Sequence, residues 1–377
     1  MGATAEERRA RLGLCAANDP ADEALADAVA RFGVVDVWRS LCASGEATAL
    51  ARRAAALDLD AVERRTRECG LRFVVPGDDE WPAAIDDLSW GEAVGTMRGA
   101  AFGLWVAGRR SLGEATAGSV AIVGSRAATA YGEHVTSDLA YGVAEQGHAV
   151  ISGGAYGIDA AAHRGALVAN GVTVAVLAGG LAAYYPLGNT SLFEQIRETG
   201  LLVSEAPPDR PPSRTRFLSR NRLIAALTQG TVIVEGGVRS GAVNTVSWAM
   251  SLNRLVLAVP GPVTSALSYS PHRLIRAGQA VLAATADDII EAIRPLDPTT
   301  AGERKDPPTL FDELAGDEQT VVEAMPTRGW CAPDDLGDVT GEPPPRLLTL
   351  LTRLEERGIV VTDGRGRWKR APRRNGG

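Results

Sequence analysis

From Ser119 onward the chain repeats one pattern: a short apolar run, a glycine-rich turn, then a helical stretch. Val120–Val123 ends in Gly124-Ser125-Arg126 and precedes a helical pattern over Tyr131–Gln146. Ala149–Ser152 runs into Gly153-Gly154 ahead of Ile158–Ala169, and Val172–Ala178 into Gly179-Gly180 ahead of Leu192–Glu198. Leu201–Ser204 is followed by a Pro/Arg stretch and a predicted helix through Asn221–Thr228. Thr231–Val234 ends in Glu235-Gly236-Gly237 before Ala242–Leu252, and Leu255–Val259 ends in Pro260-Gly261 before a helix after Pro271. Apolar runs without alternation are strands buried on both faces, and their alternation with helices makes a parallel α/β sheet. In such a sheet, ligands bind outside the carboxyl ends of the strands, where helix N-termini also point. The glycine-rich turns all fall at that edge.

The flanks differ in kind. Residues 1–75 read as a small helical domain, with helices at Ala24–Phe32, Val35–Ala43, Ala47–Ala56 and Asp60–Cys69. Residues 76–118 have frequent Pro, Gly and Trp with weak periodicity, a connector in which Leu104-Trp105-Val106 has strand character. The repeating core then spans 119–294, and a Pro-bearing linker at 295–316 follows it. Residues 317–377 carry three helical patterns, Gln319–Met325, Pro333–Val339 and Arg346–Arg357, then Ile359-Val360-Val361, a turn at Asp363–Gly366 and Trp368. Three helices and a β-hairpin in that length describe a winged helix.

Composition removes several function classes. Of 39 basic residues only Lys305 and Lys369 are lysines. Neither stands in a phosphate-loop context, and neither lies in a pocket-forming segment, which excludes Walker-type NTPases and Schiff-base chemistry. The cysteines at 15, 42, 69 and 331 form no Cys-x-x-Cys pair, so no zinc site or disulfide framework is expected. Gly153-Gly154-Ala155-Tyr156-Gly157 has Ser152 where a dinucleotide fingerprint needs glycine, which argues against a nicotinamide enzyme. No apolar run is long enough for a membrane span, and the N-terminus has no apolar signal core, so a cytoplasmic protein is expected. The net charge of −7 resides mostly outside residues 119–294, which hold 13 basic and 12 acidic groups. A nucleic-acid partner therefore requires a local basic groove.

The densest basic feature is Arg210-Pro-Pro-Ser-Arg214-Thr-Arg216-Phe217-Leu-Ser-Arg220-Asn221-Arg222, with five arginines and no acid in 13 residues. Arginine forks bind phosphates, and Phe217 offers a stacking face for a base. Asp159 and His163, four apart on one predicted helix, are either an acid–base or metal pair or a hydrogen bond steadying the Gly153 loop. Glu235, at a strand end, is either a catalytic base or a loop-fixing carboxylate.

Taken together, these motifs resemble the DNA-processing protein A family (DprA, also called Smf). The resemblance is carried by Val120-Ala-Ile-Val-Gly-Ser-Arg126, Ser152-Gly-Gly-Ala-Tyr-Gly-Ile-Asp-Ala-Ala-Ala-His163, Tyr185-Pro186 with Asn189, and Phe217-Leu-Ser-Arg-Asn-Arg222. It continues through Val234-Glu235, Ser240-Gly241, Val259-Pro-Gly261 and His272-Arg-Leu-Ile275. It implies a Rossmann-like core that binds single-stranded DNA, protects incoming strands and loads the RecA recombinase during natural transformation. It also implies a homodimer with no catalytic residue, no metal and no cofactor. By the same resemblance, Ser125, Arg126, Gly153 and Gly154 line the DNA-binding pocket. Arg214, Phe217, Arg220, Asn221, Arg222, Ser240 and Gly241 complete it. Tyr156 stands where relatives often carry Arg, and Arg214 where Lys is common. Two other classes compete. One is a phosphoribohydrolase-like enzyme, disfavoured because no carboxylate follows Gly241 through Leu252. The other is a duplex-DNA regulator acting through the C-terminal winged helix.

Overall fold

A computed structural model describes residues 2–44, 47–294, 314–326 and 329–371. The chain divides into two compact units, Met1–Pro295 and Leu296–Gly377. Most of the expected linker lies outside the described residues.

The first unit opens with five helices: α1 (Ala5–Ala17), α2 (Glu23–Phe32), α3 (Val34–Ala43), α4 (Ala49–Ala55) and α5 (Leu59–Glu68). Each of α1, α2, α4 and α5 starts on a Thr or Asp whose side chain accepts a first-turn amide, the expected N-cap chemistry. Strands β1 (Arg72–Val74) and β2 (Leu104–Ala107) follow, then α6 (Leu112–Thr116). The repeating region contributes β3 (Val120–Val123), α7 (Ala130–Glu145), β4 (Val150–Ser152), α8 (Ile158–Val168), β5 (Thr173–Val176), α9 (Thr190–Thr199) and β6 (Leu201–Ser204). It ends with α10 (Arg214–Ala226), β7 (Gly230–Ile233), α11 (Ala242–Ser251), β8 (Leu255–Ala258), α12 (Tyr269–Arg276), β9 (Val281–Leu282) and α13 (Ala286–Ile293).

All nine strands form one sheet in the order β1-β2-β6-β5-β4-β3-β7-β8-β9. From β6 to β9 every pairing is parallel, as the apolar runs require. Strands β3 to β7 are buried along their whole length because helices cover both faces. On one face Val120, Ile122, Val150 and Val232 pack against Leu139 and Val143 of α7, Ile158 of α8 and Ile289 of α13. On the other, Ala121, Val123, Ile151, Val174 and Ile233 meet Leu223 and Ile224 of α10 and Val246 and Trp248 of α11.

Two features depart from the sequence reading. The 76–118 segment is more than a connector, because β2 is a fully buried strand, antiparallel to β6, and carries β1 on its other edge. The N-terminal helices belong to the same unit as the sheet. Leu12 and Leu59 join Trp105, Ala175 and Leu202 in one apolar cluster, and the Trp105 indole donates to Thr66 Oγ1 at 3.0 Å.

The second unit contains α14 (Gly316–Ala324), α15 (Pro333–Thr340), α16 (Pro344–Glu356) and an antiparallel pair, β10 (Val360–Thr362) with β11 (Trp368–Arg370). Its core is Val321, Leu336, Leu347, Leu351, Val360 and Trp368.

Candidate nucleic-acid interface

The parallel strands run outward in both directions from the β3–β7 pair, so the chain reverses its winding between them. At such a switch point the loops after the two strands part and leave a crevice at their carboxyl ends. A cleft of about 530 Å³ opens there. Its walls are residues 123–127 at the end of β3, Gly237 and residues 239–242 after β7, Ala155 and Asp159 at and just before the start of α8, and one face of α10.

The helical period determines which residues of α10 face the cleft. Ser213 caps the helix by accepting the Arg216 amide at 3.3 Å, so the helix starts seven residues earlier than the predicted start at Asn221. Phe217, Arg220, Asn221 and Ile224 then recur at the three- and four-residue spacing of a single face, and all four line the cleft. The remaining arginines of the basic segment point elsewhere. Arg210 donates to the Ala16 carbonyl at 2.6 Å, and Arg216 pairs with Asp19 at 2.5 Å, both against the N-terminal helices. Arg214 is exposed at the first helical position, outside the cleft.

Arg222 is the clearest correction. It is 0% exposed and forks both terminal nitrogens onto Glu205, Nη1 to Oε2 and Nη2 to Oε1, each at 2.7 Å. Two residues past Arg220 is about 200° around a helix, so its side chain leaves from the opposite face. It holds α10 down and is closed to a ligand in the cleft.

Arg126 is exposed at the mouth and lies over the Phe217 ring at 4.8 Å, while Tyr185 meets the same ring edge-on at 5.9 Å. Arg220 is buried deeper. It donates to the carbonyls of Gly153 and Val176, and its Nε donates to Asn221 Oδ1 at 3.2 Å. Burial lowers its pKa to about 10, opposed by the Asp159 carboxylate, so it stays charged at neutral pH. Burial likewise raises Asp159, whose Oδ2 accepts the Ala155 amide at 3.3 Å. Asn221 Nδ2 donates to Asn244 Oδ1 at 3.1 Å and to the Gly241 carbonyl at 3.4 Å, fixing the wall after β7.

Of the pocket residues expected from sequence, Ser125, Arg126, Phe217, Arg220, Asn221, Ser240 and Gly241 converge on this cleft. Gly153 and Gly154 are buried behind it and do not line it. The expectation missed Arg239, exposed on the β7–α11 wall. A lone arginine in a glycine turn forms no charge cluster; its position at a strand's carboxyl end was the available signal.

Two open assignments resolve. Glu235 is buried and accepts the Thr129 amide at 2.9 Å and the Thr129 hydroxyl at 2.5 Å. That ties the β3–α7 loop to the end of β7, and a carboxylate so engaged fixes the loop. His163 does not share a bond with Asp159. The Thr173 hydroxyl donates to the Val150 carbonyl at 2.7 Å, so His163 must donate its Nδ1 proton to that hydroxyl, also at 2.7 Å. Burial first, then Arg220, lowers the His163 pKa to about 3. Among the described residues no group of three or more His, Cys, Asp or Glu side chains is placed to hold a metal.

The family model for DNA recombination-mediator protein A matches residues 72–294. The chain belongs to that family. A putative DNA processing protein DprA from Mycobacterium tuberculosis is 47% identical over 320 residues, spanning 84% of this chain and 81% of the relative. Protein Smf of Escherichia coli is 36% identical over 267 residues, spanning 67% and 68%. The X-ray structure of DprA from Streptococcus pneumoniae superposes with TM-score 0.63 at 27% identity, over 77% of this chain and all but 2% of that one, its coverage being 98%. A Helicobacter pylori DprA structure, described for its single-stranded DNA binding mode, superposes with TM-score 0.51 at 25% identity, covering 60% of this chain and 97% of that one. The match begins at Arg72, the first residue of β1.

Proposed function

We propose that the cleft binds single-stranded DNA and that the protein delivers it to the RecA recombinase during natural transformation, as a cytoplasmic homodimer that catalyses no reaction. The observation that carries this is the Arg126–Phe217 stack at the cleft mouth. An arginine fork meets phosphate, and an aromatic face meets a base only when that base is unpaired. Arg220 and Arg239 add positive charge to the walls. The Helicobacter pylori relative, described as binding single-stranded DNA, supports the same use of the fold. Glu235, the strongest candidate base, is engaged in holding a loop. The second unit, three helices and a hairpin, fits a winged helix and supplies a further interaction module.

The test is a salt-titrated binding assay. Oligo-dT should bind more tightly than a duplex of equal length. Arg126→Ala should weaken binding and flatten the log–log salt slope by about 0.7, the value for one lost phosphate contact on a single strand. Equal affinity for both forms across moderate salt refutes the cleft. Metal-dependent turnover of DNA or of a nucleoside monophosphate, abolished by Glu235→Gln, refutes the non-catalytic reading.

A further inference from the structure

Beside the cleft mouth two loops present aromatic surface to solvent. Tyr156, between β4 and α8, is 50% exposed, and Tyr185, between β5 and α9, is 52% exposed. They are not scattered. Tyr185 already touches Phe217, and the Tyr156 ring lies over Gly188, where a Cβ would come within 2.7 Å of its hydroxyl. Gly188 is three residues from Tyr185, at most about 10 Å of chain. The two loops are bolted together by Asn189, which is buried and donates from Nδ2 to the Gly154 carbonyl at 3.0 Å and the Ala155 carbonyl at 3.3 Å. Phe217, Tyr185 and Tyr156 thus sit on elements held together beside the cleft mouth, with Gly157, next to Tyr156, packed on the Arg126 backbone. Uncharged rings held open to water suit the π-faces of bases rather than phosphates.

We propose that Tyr185 and Tyr156 are a stacking track, each taking one unpaired base of the strand as it leaves the cleft. This rests on the single-strand reading above and extends it to bases beyond the one on Phe217. Because stacking involves no counterion release, its loss lowers affinity at every salt concentration without changing the slope.

The experiment measures oligo-dT affinity across a salt series for wild type, Tyr156→Ala, Tyr156→Phe, Tyr185→Ala and Arg126→Ala. Tyr156→Ala and Tyr185→Ala should each weaken binding by about five-fold or more, the low end for one stacked base, with the salt slope unchanged. Tyr156→Phe should bind like wild type, which also controls for folding. On an oligonucleotide whose flanking nucleotides are abasic, Tyr156→Ala should cause no further loss. If Arg126→Ala weakens binding and the tyrosine variants do not, the cleft stands and the track is refuted. If the tyrosine variants flatten the slope, or lose as much on the abasic strand, the track is also refuted. If Arg126→Ala too leaves binding intact, the cleft and the track both fall.

Discussion

Replacing Arg222 should damage the fold and spare the DNA contact, although Arg222 lies in the most basic stretch of the chain. Its side chain is fully buried, both terminal nitrogens engage Glu205 at 2.7 Å, and its Nε has no partner among the described residues. Glu205 is itself 7% exposed, its pKa pushed up by burial and pulled back by Arg222. Arg222→Met therefore strands a carboxylate in the interior, which costs about 3–5 kcal/mol. At roughly 2–4 °C per kcal/mol for a domain of a few hundred residues, the melting temperature should fall by about 10 °C. Adding Glu205→Leu removes the stranded charge and should recover most of that loss, since a buried pair exchanged whole for apolar groups is close to neutral. Calorimetry on the two single variants and the double closes the cycle. Oligo-dT titration at a temperature where all remain folded should give the wild-type salt slope throughout. If Arg222→Met melts like wild type and its salt slope flattens, the arginine contacts phosphate and the assignment of helix faces is wrong.

Two further outcomes follow from the site. His163 is held neutral in the fold, with a pKa of about 3 against an ordinary 6.5, so the unfolded chain binds the extra proton first. It costs nothing above pH 6.5 and destabilises progressively below, by about 2 kcal/mol at pH 5; His163→Asn should flatten that limb of the stability–pH curve in denaturant titrations. Gly157 has φ of +70°, and a Cβ there would come within 2.5 Å of the Ser125 carbonyl oxygen. Gly157→Ala should cost about 1–3 kcal/mol in chemical denaturation and weaken oligo-dT binding, because it displaces the loop that carries Arg126.

What the sequence made legible is what repeats. Buried parallel strands leave unbroken apolar runs, so β3 to β8 could be read directly, and with them the edge where the cleft lies. Strand β1 could not, because its three residues begin with Arg72, whose side chain pairs with Glu80 at 2.7 Å, and it lies outside the repeat. The first turns of helix α10 are hidden for a related reason. Arg214 to Arg216 have no apolar period, and prolines at 207, 208, 211 and 212 suggest an extended chain, yet the cap at Ser213 starts a helix just past them. In the linear sequence five arginines stand together, whereas the 3.6-residue period sends the four within α10 to different neighbours. Arg239 had no such cluster to mark it.

Gly132 and Glu235 are separated by 103 positions and have no room to vary alone. The glycine sits in the first turn of α7, directly against the carboxyl, so a Cβ there would overlap the acid that clamps Thr129. A side chain at 132 is compatible with the clamp only if the acid at 235 shortens, and a shorter acid no longer spans to Thr129. The tie between the β3–α7 loop and the end of β7 is thus encoded jointly by two residues that no local window of sequence contains. A library that randomises Gly132 while Glu235 is kept should return mostly glycine, whereas one that randomises both should return larger residues at 132 only together with a replaced Glu235 and a loop no longer tied through Thr129.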